Sequence, residues 1–309
     1  MITTFNGDQR LKDKLSTVAA DLARHVPEGS RERERLEWAS RSWCPAPYVC
    51  QKGAACDHRY YADEMGVPVW LAYAERAVFL NLSQNHARRW WARFFKVIPV
   101  GCEFEDGAMM AEFAIPVLYR LLDFAQDAGQ YKAIKTIIDL YTVGCEDDDL
   151  WTAAARQANV QHGKSPYNNN RMEAHEARIH AGCMACHAAT YFARAYSDPR
   201  CIAEAISWSG WPARYLTYSR HMEKVEDPRK KVPVDDRGMV QVGSALAASG
   251  EWMRASDQGD SLGEAQRLYH YHWVSTRLIE TLEKANPVFS YIRVGGFLKR
   301  MAENWGTGM

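Results

Sequence analysis

Residues 171–197 read RMEAHEARIHAGCMACHAATYFARAYS, and this stretch decides the fold. A helix turns by about 100° per residue, so its polar groups fall four, seven and eleven positions after the first and form one narrow stripe: Glu176, His180, Cys183 and His187. The opposite face carries Ala174, Ala177, Ala181, Ala185, Ala188 and Phe192. Because small side chains let a second helix approach closely, the stretch predicts a central helix covered on both sides.

The composition limits the classes of protein. The 309 residues include 38 basic and 38 acidic side chains, so no global charge attracts nucleic acid or an anionic membrane. No apolar run reaches the length of a membrane span, and the N-terminal residues lack the apolar region of a signal peptide, which favours the cytoplasm. Eight scattered cysteines are then expected to be thiols. Eleven Trp and fifteen Tyr favour a well-filled helical core over base-stacking surfaces.

Apolar residues recur with helical spacing along the rest of the chain, and no region alternates with the period of a strand. We predict an all-α protein, a multi-helix bundle or stacked helical pairs around the central Ala-rich helix. The predicted helices cover 8–25, 30–43, 60–82, 86–97, 107–128, 130–141, 150–158, 199–208, 211–221, 262–284 and 287–304. His270 and His272 would lie about 200° apart on a helix, so we expect them to serve different sites.

Two stretches interrupt the helical pattern in the C-terminal third. Residues 227–237 are charged and contain proline, and residues 250–263 contain three glycines. We therefore expect a helical core domain over 1–225, a linker or mobile loops over 226–261, and C-terminal helices over 262–309 that pack on the core.

A cysteine-rich loop over 44–58, CPAPYVCQKGAACDH, is the first candidate metal site. It offers four ligands of the kind that zinc prefers: Cys44, Cys50, Cys56 and His58. Folding a loop around a structural zinc has a clear energetic logic, but the spacing differs from the usual CxxC pair. The alternative is that the thiols pack as small apolar groups beneath the first helices.

The stripe on the central helix is the second candidate site. CMACH at 183–187 matches the haem-attachment pattern, but the missing export signal and the helical seam argue against haem. Zinc could be held by His180, Cys183 and His187, and most simply by two of them together with a residue of the loop. Glu176 could then act as a catalytic base. The alternative is buried neutral histidines and packed thiols. A cysteine nucleophile is disfavoured because no oxyanion motif accompanies the cysteines.

Residues 88–96, RRWWARFFK, interleave basic and aromatic side chains. This composition occurs in surfaces that stack nucleic-acid bases, with Arg88, Arg89 and Arg93 on the phosphates. It also occurs in amphipathic helices whose basic side chains extend to solvent over an aromatic core. The second interpretation is favoured.

The segments VCQKGAACDHRYYADEMGVPVWLAYAERAVFLNL (49–82), WARFFKVIPVG (91–101) and TRLIETLEKA (276–285) resemble a set of uncharacterised phage and prophage proteins. In those proteins a Gly/Cys-rich loop leads to a Gly-Ile-Pro segment and then to an Ile-Pro-Val-Gly turn. The matching positions are Gly66, Val67, Pro68, Leu71, Ala72, Glu75, Val78, Phe79, Ile98, Pro99, Val100 and Gly101. The resemblance implies a phage context and carries no established activity.

We therefore expect an intracellular, phage-type accessory protein that binds a macromolecular partner and carries a structural zinc. A protein partner is favoured over nucleic acid, and no membrane partner is expected. The alternative is a metal-dependent enzyme, a hydrolase or a nucleic-acid-modifying activity, that uses Glu176, His180 and His187.

Overall fold

The computed structural model of the chain describes residues 4–24, 62–63, 65–166, 172–228 and 242–285. Within these ranges the regular structure is helical and contains no strand, which confirms the all-α prediction. After a short 3-10 turn at Thr4–Gly7, the helices are α1 (Gln9–Arg24), α2 (Val69–Asn81), α3 (Gln84–Val97), α4 (Asp106–Leu122), α5 (Ala128–Val143), α6 (Asp148–His162), α7 (Ala174–Ala195), α8 (Cys201–Ser209), α9 (Trp211–Met222) and α10 (Val242–Ala285).

The searched residues contain no helix long and apolar enough to cross a bilayer. The predicted loop over 44–58 and the predicted helices over 30–43 and 287–304 lie outside the described ranges.

The described part of the chain forms two compact units, one within residues 1–116 and 272–309 (unit 1) and one within residues 117–271 (unit 2). The boundaries fall inside helices α4 and α10. The loose stretch predicted over 250–263 is wrong, because α10 continues through it. Its glycines allow close packing instead: a Cβ at Gly259 would lie 3.0 Å from the Tyr218 ring, and a Cβ at Gly263 would lie 2.7 Å from the Arg214 carbonyl oxygen.

In unit 1, α3 packs against α1 and α2. The aromatic residues of α3 are buried: Trp90, Trp91, Phe94 and Phe95. The Trp91 ring meets Phe79 edge to face at 5.4 Å, and its indole N–H donates to the buried carboxylate of Glu75. An aromatic core therefore holds these helices together, as the abundance of Trp predicted.

In unit 2, α7 is the central helix and packs against α5, α6, α8 and α9. Fourteen of its twenty-two residues are buried, and among them are all the predicted small-residue positions from Ala177 to Phe192. The Tyr141 hydroxyl of α5 donates to the Phe192 carbonyl at 2.7 Å. The predicted central position of this helix is confirmed.

Side-chain caps fix the ends of the two helices that precede α7. Asp127 accepts a hydrogen bond from the Gln130 amide at the start of α5. Asp147 accepts from the amides of Asp149 and Leu150 at the start of α6. Such caps satisfy backbone donors that have no partner inside the helix.

Candidate functional site

The predicted polar stripe of α7 divides among three environments. Glu176 completes a capping box at the start of the helix, where its carboxylate accepts from the Glu173 amide at 2.9 Å. Cys183 and Cys186 face α5, and His180 and His187 face other partners described below. The helical spacing suggested one polar site. The structure instead places Glu176 in a helix cap, the two cysteines against α5, and the two histidines against other partners.

The two cysteines contact one buried glutamine of α5. The Gln130 side-chain amide donates to Cys183 Sγ at 3.6 Å, and Cys186 Sγ lies 4.0 Å from the Gln130 carbonyl oxygen. Burial raises the pKa of Cys183 to about 11 and also raises the pKa of Cys186. Both groups are therefore thiols at neutral pH, whereas nucleophilic attack requires the thiolate.

His180 and His187 of α7 belong to a cluster of rings, in which His180 is buried and His187 half-buried. His180 Nδ1 lies 2.5 Å from Ser165 Oγ, and its ring meets Tyr215 edge to face at 4.3 Å. His187 stacks on His162 at 4.0 Å. Its ring also contacts Trp208 and Tyr191 at 4.9 and 5.1 Å. We call His162, His180 and His187 the histidine cluster.

Burial keeps the histidine cluster neutral. Burial, and to a smaller extent the nearby His162, lowers the pKa of both His180 and His187 to about 4. Burial also lowers the pKa of His162. Uncharged imidazoles packed on aromatic rings agree with the alternative of buried neutral histidines.

Among the residues that the structure describes, no three His, Cys, Asp or Glu side chains are grouped so as to hold a metal ion. His180, Cys183 and His187 are thus not grouped as three ligands of one ion, and the prediction that two of them bind zinc with a residue of the loop stays a prediction. The loop candidates Cys44, Cys50, Cys56 and His58 lie outside the described ranges, so the zinc predicted there stays a prediction.

The segment considered for nucleic-acid binding lies on α3. Its aromatic rings are in the core, so they offer no stacking surface. Arg93 pairs with Glu283 at 2.7 Å, and Arg89 Nε donates to the Asn85 carbonyl oxygen at 3.2 Å. The side chain of Arg88 lies outside the described part. This arrangement agrees with basic side chains that cover an aromatic core.

Among its described residues, unit 2 exposes three tyrosines that the sequence patterns did not single out. Tyr119 of α4, Tyr131 of α5 and Tyr269 of α10 are 48%, 50% and 61% exposed. The helical spacing indicates that two of them are exposed. Tyr119 lies on the side of α4 opposite to the buried Leu118 and Leu121, and Tyr131 lies outside the buried apolar stripe of α5. A large aromatic on the solvent side of a helix is the feature to look for.

Two cations, Arg120 and Lys135, lie beside these tyrosines. The Arg120 guanidinium carbon lies 5.7 Å from the centre of the Tyr269 ring. Lys135 follows Tyr131 by four residues, which places the two side chains on one side of α5. The pKa of Lys135 is raised, first by its hydrogen bond to Asp139 and to a smaller extent by charge interactions that include Tyr119 and Tyr131. We call Tyr119, Arg120, Tyr131, Lys135 and Tyr269 the tyrosine face.

An uncharged stripe on α10 extends the tyrosine face. Leu262, Ala265, Gln266 and Tyr269 are all exposed, at the spacing that places residues on one side of a helix. The neighbouring Glu264 and Arg267 pair with each other at 2.7 Å. Glu264 and Arg267 therefore neutralise each other, and the exposed stripe beside them carries no charge.

Comparisons with protein-family models, with curated proteins and with solved structures find no match for this chain.

Proposed function

We propose that the chain is a phage-type accessory protein that acts by binding a protein partner, and that the tyrosine face of unit 2 is its contact surface. The observation that supports this proposal is the exposure of three tyrosines in unit 2, of which Tyr269 lies under the Arg120 guanidinium group and Tyr131 lies one helical turn before Lys135. The resemblance to phage and prophage proteins suggests a partner from the host cell or from the phage itself.

Tyrosine and arginine are the residue types that contribute most to binding energy in protein interfaces. A tyrosine offers a large apolar ring with a polar tip and loses little side-chain entropy when it is covered. Three such exposed rings in unit 2, beside the uncharged stripe that ends at Leu262, are a reason to expect a partner.

The charges of the tyrosine face favour protein over nucleic acid. Of its two cations, Lys135 is already bonded to Asp139 and Arg120 lies over the Tyr269 ring. A nucleic-acid surface needs many cations that are available to phosphates, and its affinity falls steeply with salt. We expect binding through the tyrosine face to depend weakly on salt.

The proposal is tested by an affinity capture with three baits. One is the wild type, one carries Tyr119→Ser, Tyr131→Ser and Tyr269→Ser, and the control carries Val143→Ser and Val160→Ser, which are also exposed positions of unit 2. We expect wild type and control to retain the same partner from a lysate of phage-infected host cells, and the triple variant to lose it. Each single tyrosine change should weaken binding roughly tenfold or more, as at interface hot spots.

Equal capture by all three baits would contradict the proposal, as would loss of the partner with the valine control alone. Sedimentation of the purified protein at several concentrations identifies the case in which the partner is a second copy of the chain. In that case the triple variant should remain monomeric where the wild type associates.

A further inference from the structure

Two histidines from distant parts of the sequence meet in unit 1. The rings of His86, in the first turn of α3, and His272, in the C-terminal part of α10, have centres 3.7 Å apart and lie nearly perpendicular, at 80°. Both side chains are half-buried, so solvent and small ions can reach them. The pair belongs neither to the tyrosine face nor to the predicted metal-ligand sets.

A serine fixes the orientation of one ring. Ser83 Oγ lies 2.6 Å from His86 Nδ1, which leaves Nε2 as the nitrogen that can face another group. Histidines that bind metals commonly have one ring nitrogen held in this way by a neighbouring polar group. Burial, and then the proximity of His272 and Arg89, lowers the pKa of His86, so the ring is neutral and can ligate near pH 7.

We propose that His86 and His272 form a two-histidine binding site for Zn²⁺. The two rings are in contact, so their centres must separate by about 1–1.5 Å before one nitrogen of each can reach a shared ion at the zinc–nitrogen distance of about 2.0–2.1 Å. Among the residues that the structure describes, no third ligand of the usual types joins the pair, and water can fill the open positions. Imidazole pairs suit zinc and neighbouring divalent transition metals and bind calcium and magnesium poorly.

Two features of the surroundings weaken the site. The Arg89 guanidinium group is close enough to affect the titration of His86, and it repels a cation. His86 also lies near the N-terminus of α3, where the helix dipole is positive. Both effects lower the affinity for a cation, and Arg89→Gln should strengthen zinc binding several-fold.

The site joins segments that already touch. Trp90 Nε1 donates to the Ser275 carbonyl oxygen at 2.9 Å, and Arg93 pairs with Glu283. Zinc at His86 and His272 adds a reversible bond between α3 and the end of α10. Its effect on stability then follows the concentration of free zinc, because the unfolded chain does not hold the two rings together.

The experiment measures thermal unfolding of the full chain with and without excess ZnCl2 in a buffer that does not bind zinc. We expect zinc to raise the unfolding midpoint of the wild type by about 2–4 °C. The part of this rise that depends on the pair should be lost in His86→Asn and in His272→Asn and kept in His175→Asn, whose ring is exposed on α7. Zinc bound elsewhere on the chain would still raise the unfolding midpoint of both variants. The difference between the wild type and these variants therefore measures the effect of zinc at His86 and His272.

Equal zinc-dependent shifts in all four proteins would overturn the proposal. A second measurement on the wild type does not depend on the variants folding: mass spectrometry follows the modification of each histidine by diethyl pyrocarbonate. Zinc should protect His86 and His272 and leave His175 reactive. Unchanged reactivity of both residues at saturating zinc would also refute the site, which stands or falls independently of the tyrosine face.

Discussion

Replacing Gly182 with alanine should destabilise the protein by about 2–4 kcal/mol. A Cβ at this position of α7 would lie 2.1 Å from Gln130 Oε1 and 2.9 Å from Gln130 Cδ. Gln130 is 1% exposed and cannot move into solvent without giving up its hydrogen bonds to the Gln126 amide and to Cys183. The substitution therefore disrupts both the packing of α5 on α7 and the buried amide network.

The matched control is Gly250→Ala on α10, a helical glycine whose nearest atom to a new Cβ is the end of the Arg254 side chain at 3.9 Å. We expect this variant to be neutral or slightly more stable than the wild type, because alanine restricts the unfolded chain more than glycine does. Urea unfolding followed by circular dichroism compares the two variants. A Gly182→Ala protein as stable as the wild type would show that α5 and α7 are not packed as described.

Acid should destabilise unit 2 by several kcal/mol through its buried histidines. Burial lowers the pKa of His180 and His187 to about 4 and that of His270 to about 3. In the unfolded chain a histidine titrates near about 6.5, so the unfolded state binds more protons between about pH 6.5 and pH 4. The free energy of unfolding contributed by these groups is therefore complete above about pH 6.5 and decreases as the pH falls through this window.

Each of these histidines should account for about 1–2 kcal/mol at pH 5, with the smaller value for the half-buried ring of His187, which solvent partly screens. The measurement is urea unfolding at a series of pH values. His180→Gln and His187→Gln should each reduce the slope of stability against pH, whereas His175→Gln should retain it because that side chain is 70% exposed. The same slope in all variants would mean that the histidine cluster is solvated.

The sequence predicted the elements whose signals are local. The alanine spacing of 177–188 identified the central helix because buried small residues recur with the helical period. The predicted separation of His270 and His272 by about 200° agrees with the structure, because the two side chains contact different partners. His270 Nε2 lies 2.9 Å from Ser209 Oγ, whereas His272 meets His86. Periodicity along one helix is enough for such predictions.

The missed features depend on contacts between helices. The stripe from Glu176 to His187 suggested one site, but Gln130 lies beside the cysteines and Ser165 beside His180. The glycines of 250–263 indicated a loop, although Gly259 and Gly263 lie where other atoms leave no room for a side chain. No single-helix pattern contains the identity of the neighbour on each side.

The proposed binding surface is tested most directly by photo-crosslinking in cells. A photoreactive phenylalanine analogue is placed at position 119, 131 or 269, and at 143 or 160 as controls in the same unit. The account predicts one discrete crosslinked product from each of the three tyrosine positions and none from the two valine positions. Crosslinks from the valine positions alone, or none from any tyrosine position, would contradict it.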